Sequence, residues 1–304
     1  MNKLKLTILL LTLVSFSYAQ KINLDDFKNW KPRNIGPAGM SGRITSIDAV
    51  VKDPSIVYLG SASGGVWKTT NGGATWASVF DDEPTLNIGS VTIQQNNPNI
   101  IWVGTGEGNP RNSMNLGGGI YKSLDAGKTW KLMGLEKTIC IHRIRIDPDN
   151  PDVVYAAAIG NPYKPHPEKG VWKTTDGGET WKQILKVNDT TGCGELVMDP
   201  YNPNKLIANM WQFYRTPYSS KSGGAGSGLY ITVDGGRNWK KLSEKDGLPA
   251  GDLGRAGLAF ARSLEGRVYA KLEAAKNGFY KSDDGGFNWQ LVNSNPSEVT
   301  DRPF

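Results

Sequence analysis

The chain has 304 residues, a formal net charge of +6 and many Gly (37), Tyr (11) and Trp (10) residues. No cluster of Lys or Arg stands out, and the charge falls further once the N-terminal segment is removed, so these numbers argue against a nucleic-acid partner. Two cysteines, two histidines and no CxxC pair offer almost nothing for a zinc site, so we expect no metal and no cofactor.

Residues 1–19 have the pattern of a secretory signal peptide. Two lysines precede a short apolar run, and a small-residue pattern ends at Ala19. No stretch of the chain reaches the roughly 20 apolar residues of a membrane helix. We therefore predict cleavage after Ala19 and export to the periplasm, the cell surface or the medium, with no membrane span. That compartment permits disulfides, so Cys140 and Cys193 could form a bridge or remain two buried thiols.

The next segment, residues 27–36, resembles the outermost strand of a repeat unit that has no unit of its own. Its AsnTrpLys recurs at the start of outermost strands further along the chain, and Trp30 precedes Trp76 by 46 residues, close to one period. A ring of sheets can close when an N-terminal strand completes its last sheet, which leaves no long edge unpaired. The fifth unit already has its own outermost strand at 289–293. We therefore expect an unfinished ring, truncated at the C-terminus, with a natural five-unit ring as the alternative.

The repeat itself is an octapeptide that occurs five times, with the pattern Ser/Thr-x-Asp/Asn-x-Gly-x-Thr/Asn-Trp. The successive Trp residues lie 54, 51, 58 and 50 positions apart. Two strand-like runs joined by turn residues precede each copy, which gives four short strands per unit. Such a repeat predicts an all-β fold, a β-propeller of four-stranded antiparallel blades within residues 20–304. The expected blades cover about residues 40–82, 86–136, 139–188, 193–244 and 254–294; the octapeptides, named boxes one to five, are 69–76, 123–130, 174–181, 232–239 and 282–289.

We expect the side chains of each box to serve the turn in which they lie. The Asp or Asn can accept hydrogen bonds from backbone N–H groups one or two residues ahead, and the Gly at the fifth position can take a positive φ. The Trp is expected to pack between blades and to face, across the hairpin, the aromatic residue nine positions before it. Groups that recur in every blade are structural, since one active site cannot use them all. They are Asn71, Asp125, Asp176, Asp234, Asp284, Trp76, Trp130, Trp181, Trp239 and Trp289.

The octapeptide resembles the Asp-box, or BNR repeat, of sialidases, of xyloglucanase-type glycoside hydrolases and of the sortilin VPS10 domain. The sequence GVWKTTDGGETW at 170–181 is most similar to the repeats of large exported bacterial propeller proteins labelled glycosyl hydrolase or sortilin-like. The resemblance covers about residues 27–295 and implies the propeller fold. It implies little about activity, because enzymes and non-enzymes share the motif.

Candidate ligand-binding residues lie near the axis of the predicted propeller and on three long insertions that share one of its faces, residues 106–119, 160–170 and 211–228. Loops on a rigid scaffold are the usual place for binding. The aromatic residues of the third insertion could stack on sugars, grip a peptide or simply hold the loop. The three arginines resemble the carboxylate clamp of sialidases, but without that family's other motifs they are expected to pair with acids or line a wet channel. The candidates are Glu107, Asn109 and Arg111 (insertion 106–119), Trp211, Phe213, Tyr214, Arg215 and Tyr218 (insertion 211–228), and Arg43, Arg143 and Arg255.

Catalysis is less well supported by the sequence than binding. Enzymes of the xyloglucanase type carry a catalytic Asp just before a GlyGly and an aromatic residue in the first blade, where this chain has Ala62 and Ser63. Glycoside hydrolysis normally needs two carboxylates that face the bond, and Glu107 is a candidate without an evident partner. We therefore predict a non-catalytic binding or scaffold module for a glycan or a protein. The alternative is a glycoside hydrolase, or a portion of one.

Overall fold

The computed structural model describes residues 43–111 and 114–299. In these ranges the chain forms twenty-one β-strands, two 3₁₀ turns at Glu136–Thr138 and Glu244–Asp246, and no α-helix. The strands form five separate antiparallel sheets, numbered here in chain order. This confirms the predicted all-β propeller with five four-stranded units. The predicted signal peptide and the outer strand at 27–36 lie outside the described residues.

Each sheet begins with its innermost strand, and the chain then adds the second, third and outermost strands in order. The fourth sheet has one additional strand, β15, which pairs with the end of β14. Sheet one contains β1 (Ile44–Val50), β2 (Asp53–Ser61), β3 (Val66–Thr69) and β4 (Ala77–Ser78). Sheet two contains β5 (Ile88–Ile93), β6 (Ile101–Thr105), β7 (Ile120–Ser123) and β8 (Lys131–Leu132), and sheet three contains β9 (Ile141–Ile146), β10 (Val154–Ala158), β11 (Gly170–Thr174) and β12 (Lys182–Leu185). Sheet four contains β13 (Thr191–Asp199), β14 (Asn202–Arg215), β15 (Ser220–Ser222), β16 (Gly228–Thr232) and β17 (Lys240–Lys241), and sheet five contains β18 (Ala256–Phe260), β19 (Val268–Leu272), β20 (Gly278–Ser282) and β21 (Gln290–Asn293).

The second strands show why the sequence forms stacked sheets. All five residues of β6 and of β10 are buried, which is the pattern of strands covered on both faces. Their aromatic and β-branched residues fit such positions. Because a sheet alone cannot cover both of its faces, each must pack against its neighbours.

Four apolar clusters fill the spaces between successive sheets. One cluster joins sheets one and two around Tyr58 and Phe80, and the next joins sheets two and three around Trp102. A third joins sheets three and four around Tyr155, and a fourth joins sheets four and five around Ile207. Among the described residues, none of these clusters joins sheet five to sheet one.

The five boxes fold in the same way, and each forms the turn between the third and outermost strands. In box three, Asp176 accepts a hydrogen bond from the backbone N–H of Thr180 at 2.9 Å, and the backbone N–H of Gly178 donates to Thr174 Oγ1 at 3.0 Å. The fifth-position glycine has the predicted positive φ, 103° at Gly178. The Asp side chain therefore accepts from the backbone N–H four residues ahead of it, whereas we expected an N–H one or two residues ahead.

The predicted pairing of aromatic residues across the hairpin is wrong. Trp67 pairs with Ser78 and Tyr121 pairs with Leu132, so the box Trp lies two residues before the predicted register. The reason is that the fourth and fifth box residues both have positive φ, which makes a wider turn that ends at the Trp. The Trp instead reaches the preceding sheet: Trp130 Nε1 donates to the carbonyl of Val79 at 2.6 Å.

Cys140 and Cys193 are both free and buried. Cys140 belongs to an apolar cluster with Met114 and Trp211, and Cys193 to the cluster between sheets three and four. Of the two alternatives for the cysteines, the structure has the buried thiols.

Candidate functional site

The candidate site lies at the end of the propeller that carries the loops between second and third strands and the connections between sheets. We call this end the loop face; the opposite end carries the turns between first and second strands. Several polar side chains meet near the axis at the loop face, and we call them the axial network. Its members are Arg43, Glu107, Asn109, His142, Arg143, Glu195, Arg255 and Glu273.

Glu107 is held by Arg43 and is fully buried. It follows β6, and both of its carboxylate oxygens accept from Arg43, at 2.7 Å from Nε and 2.5 Å from Nη2. Its backbone N–H donates to the carbonyl of Asn115 at 2.8 Å. The hydrogen bond with Glu107 raises the pKa of Arg43. Such a bidentate pair fixes both side chains and leaves the carboxylate engaged.

Arg255, at the start of sheet five, reaches across the axis to two other sheets. Its Nη2 lies 2.7 Å from His142 Nε2 and 3.1 Å from Asn109 Oδ1. Burial first, and then the positive charges of Arg143 and Arg255, hold the pKa of His142 well below its usual value. A neutral imidazole can accept a hydrogen bond at Nε2, which matches this contact. Burial also lowers the pKa of Arg255 to about 10.

Arg143 and Glu195 form a second ion pair, between sheets three and four. Arg143 Nε lies 2.8 Å from Glu195 Oε1, and Arg145 Nη2 lies 3.9 Å from the same oxygen. The three arginines that we selected from the sequence therefore all belong to the axial network, and Arg43 and Arg143 pair with acids as expected.

The aromatic residues of the third insertion divide into a buried and an exposed pair. The first part of the insertion is not a loop, because β14 continues to Arg215 and returns as β15. Trp211 and Phe213 are buried and stack with ring centroids 4.2 Å apart, and the Arg255 guanidinium lies 5.4 Å from the Trp211 ring. The exposed pair, Tyr214 (45% exposed) and Tyr218 (98% exposed), lies near the tip of this hairpin.

A chain of hydrogen bonds ties the hairpin to sheet five. Trp211 Nε1 donates to Ser222 Oγ at 2.9 Å, and Ser222 Oγ donates to Glu273 Oε2 at 2.6 Å. The same Glu273 oxygen accepts from the backbone N–H of Arg255 at 2.8 Å. Trp211 and Phe213 therefore hold the hairpin in place, and the exposed tyrosines are the rings that a ligand can reach.

The remaining candidates are at the edge of the site. Arg111 is exposed beside the two undescribed residues of its loop. The backbone N–H of Arg215 donates to the carbonyl of Pro162 at 2.9 Å, which joins the second and third insertions. Ser63, one of the two residues at the position of the expected catalytic Asp, is exposed on the loop after β2, and Ala62 is buried.

The innermost strands line a cavity of about 1000 Å³ that is open to solvent. Charged side chains of opposite sign, including Asp48 and Arg145, line it together with apolar residues such as Phe260. Within residues 43–111 and 114–299, no group of three or more His, Cys, Asp or Glu side chains could hold a metal ion. In the same ranges no helix is long and apolar enough to cross a membrane.

Sequence reasoning missed three members of the axial network, His142, Glu195 and Glu273, and also Arg145, which lies 3.9 Å from Glu195. His142 precedes Arg143 on the innermost strand β9, and Glu195 lies on the next innermost strand, β13, where it pairs with Arg143. A position on an innermost strand beside a selected arginine is the signal that could have found them. Glu273 follows β19 at the loop face and carries no sequence pattern that marks it.

Comparisons with known proteins agree with this architecture. The family model described as sortilin, neurotensin receptor 3, matches residues 118–247. A xyloglucanase of Hypocrea jecorina is 24% identical over 254 residues, which cover 72% of this chain and 28% of the relative. Xyloglucanase Xgh74A of Acetivibrio thermocellus is 25% identical over 232 residues, which cover 68% of this chain and 26% of the relative. The chain therefore spans about a quarter of the length of these relatives.

Solved structures show the same fold at lower identity. An ancestral GH74 enzyme aligns with a TM-score of 0.62 at 21% identity, over 83% of this chain and 31% of its own. YCF48 bound to D1 peptide aligns with a TM-score of 0.56 at 16% identity, over 91% of this chain and 74% of its own. With five Asp-box sheets in register and these matches, the chain is a β-propeller related to the xyloglucanase-type glycoside hydrolases.

Proposed function

We propose that the protein is an exported, non-catalytic binding module that takes a glycan on its loop face. The observation that carries the proposal is the state of Glu107. This candidate catalytic acid is fully buried and gives both oxygens to Arg43, while Ala62 and Ser63 stand where the catalytic Asp would be. A general acid must reach the glycosidic oxygen, and a paired carboxylate inside the protein does not.

The ligand would bind beside the β14–β15 hairpin. Tyr214 and Tyr218 present exposed rings there, and such rings stack on the apolar faces of sugars. The axial network holds the hairpin and its neighbours rigid, so little ordering is needed when a ligand binds. Relatives named xyloglucanase support a glycan as the ligand. A protein ligand remains the alternative, because a propeller of similar fold is described as bound to a peptide.

A second candidate function is glycoside hydrolysis, and the two xyloglucanase relatives favour it. The chain spans about a quarter of their length. In this candidate the chain is a portion of a hydrolase, and part of the catalytic acid pair comes from polypeptide beyond the residues described here.

Xyloglucan binding and turnover test the two candidates together. Affinity electrophoresis in xyloglucan gels measures binding, and a reducing-sugar assay measures turnover. We expect retention without turnover, and a several-fold weaker retention for Tyr218→Ala. The matched control is Tyr201→Ala, because Tyr201 is also exposed but lies at the opposite end, on the turn between β13 and β14.

Two outcomes would contradict binding without catalysis at the loop face. Release of reducing sugar that Glu107→Gln abolishes would establish the hydrolase. Equal retention of the wild type, Tyr218→Ala and Tyr201→Ala would show that the hairpin tip does not touch the glycan.

A further inference from the structure

The contact between successive sheets repeats along the chain, and it begins from one pair of residues in each sheet. The pair consists of a residue on the second strand and its direct cross-strand neighbour on the third strand, just before the box. In three of the first four sheets it is an aromatic residue and a lysine. We call it the latch pair; in sheets one to five it is Tyr58–Lys68, Trp102–Lys122, Tyr155–Lys173, Ile207–Ile231 and Tyr269–Lys281.

The lysine of the latch pair binds a backbone carbonyl in the next sheet. Lys68 Nζ donates to the carbonyl of Ala126 at 3.0 Å, and Lys173 Nζ donates to that of Gly235 at 2.9 Å. Lys122 Nζ donates to the carbonyl of Gly177 at 3.0 Å. In all three cases the acceptor is the fourth residue of the next box.

The aromatic ring of the latch pair supports the lysine. The ammonium groups lie 5.3, 4.8 and 5.0 Å from the ring centroids in sheets one, two and three, within cation–π range. Tyr58 Oη also donates to the carbonyl of Ala126, at 3.0 Å. The rings of Tyr58, Trp102 and Tyr155 are at most 1% exposed, so the next box covers them.

Sheet four uses an apolar version of the same contact. Ile207 and Ile231 pack against the fifth box and leave no room for a Cβ at Gly286. A lysine is still present, because Lys205 approaches the fourth box residue and its Nζ lies 5.5 Å from the Phe287 ring centroid. Every sheet that has a described successor therefore binds the box of that successor.

Sheet five has the latch pair, but its two members bind within their own sheet. Tyr269 is half-buried, and its hydroxyl accepts from Arg267 at 3.2 Å. Lys281 Nζ donates to Asp283 Oδ2 at 3.2 Å. Phe279 stacks on Tyr269 with ring centroids 5.6 Å apart, on the same face of the sheet. This face therefore has the residues of the contact without the box.

Sheet one shows the other half of the contact. Gly72 is the fourth residue of box one, with a φ of 68° like the corresponding residues of the other boxes. In the described part of the chain, no latch lysine donates to its carbonyl. Sheets five and one thus carry complementary halves of the contact that do not meet.

We propose that the outer face of sheet five, formed by Tyr269, Phe279 and Lys281, is a docking surface for a further Asp-box blade. The fourth box residue of that blade offers its carbonyl to Lys281. Propellers have typically 4–8 blades, so a ring that already holds five sheets has room for one to three more. A second copy of this chain would bring five sheets and does not fit. The occupant is therefore additional Asp-box blades and not the first sheet of another copy.

Photo-crosslinking tests the identity of the occupant. Phe279 is replaced by p-benzoylphenylalanine in the protein as its own cells make it, and the crosslinked peptides are sequenced by mass spectrometry. We expect peptides that carry the octapeptide pattern and come from outside residues 43–299. As a control for the chemistry, the same replacement at Trp102 should crosslink to box three, because a Cβ at Gly178 would lie only 2.6 Å from the Trp102 ring.

A second measurement tests the latch pair itself. In the crosslinking protein, Lys281→Met is expected to lower the yield several-fold. The matched change Lys276→Met, between β19 and β20, is expected to leave it unchanged. Crosslinks to residues 69–76 would overturn the proposal, since the ring would close on five sheets or on another copy. Crosslinks to a peptide without the pattern, or none while the Trp102 control works, would overturn it as well.

Discussion

The packing between sheets predicts a large loss of stability for Trp102→Ala. Trp102 lies on β6, is fully buried and meets Trp181 of the next sheet edge-on at 6.2 Å. Removing a ring that buries about 200 Å² forfeits about 5 kcal/mol at about 25 cal/mol per Å². Large-to-small changes of Trp cost about 3–5 kcal/mol in cores. Trp102 Nε1 has no hydrogen-bond partner among the described residues, so removing the indole N–H breaks no hydrogen bond. We therefore expect Trp102→Ala to lower the free energy of unfolding by about 3–4 kcal/mol.

Thermal melting by circular dichroism measures this effect. At about 2–4 °C per kcal/mol for a domain of this size, Trp102→Ala should melt roughly 6–16 °C below the wild type. The matched control is Leu124→Ala, since Leu124 is 66% exposed and surface changes stay within about 0.5 kcal/mol. If both variants melted within about 2 °C of the wild type, the stacking of sheets two and three through this ring would be refuted.

Three further predictions concern the boxes and the thiols. Hydrogen bonds, first from the Thr129 hydroxyl, lower the pKa of Asp125 to about 2. The stability that this carboxylate contributes is therefore present above its unfolded pKa of about 3.8 and is lost as the pH falls toward 2. In a pH series of thermal melts, the melting temperature of Asp125→Asn should fall less at acid pH than that of the wild type. Asp176→Ala should lower the melting temperature, because three hydrogen bonds of box three disappear; an unchanged melt with lost glycan binding would contradict the structural role. Burial raises the pKa of Cys140, to about 12, and of Cys193, so Ellman's reagent should find no thiol at pH 8 in the folded protein and two after denaturation; a folded protein that reacts at once would contradict their burial.

The fold could be predicted because the octapeptide encodes local chemistry. Each box satisfies its own turn through the Ser or Thr, the Asp or Asn and the Gly, so the pattern is visible without knowledge of distant contacts. The register across the hairpin could not be predicted in the same way. It depends on two successive residues with positive φ, and at Ala126 (φ 61°) the second box takes this conformation without glycine. A pattern based on glycine alone therefore placed the Trp on the wrong residue pair.

The site was predicted less well than the fold, because its contacts join residues far apart in the chain. The sequence marked Arg255 and Asn109, but not that their side chains meet across 146 positions. It marked Trp211 as an aromatic residue on an insertion, but burial against Phe213 makes it a support for the hairpin. His142 went unselected because the sequence places it beside Arg143 but does not show that Arg255, 113 positions later, lies 2.7 Å from its ring.

The box has two structural roles, and this explains why the motif indicates so little about function. Within its own sheet it closes a turn; toward the preceding sheet, boxes two, three and four offer the carbonyl of their fourth residue to a lysine. The Trp N–H of boxes two and three also donates to a backbone carbonyl of the preceding sheet. Both the turn and the contacts to the preceding sheet lie away from the loop face. The loops between second and third strands can therefore change length and chemistry while the stack of sheets stays intact. Selection for a ligand or a reaction then acts on residues such as Tyr218, which have no counterpart in the repeat. It follows that chains sharing the box need share no activity, and that what this chain binds must be read from its insertions.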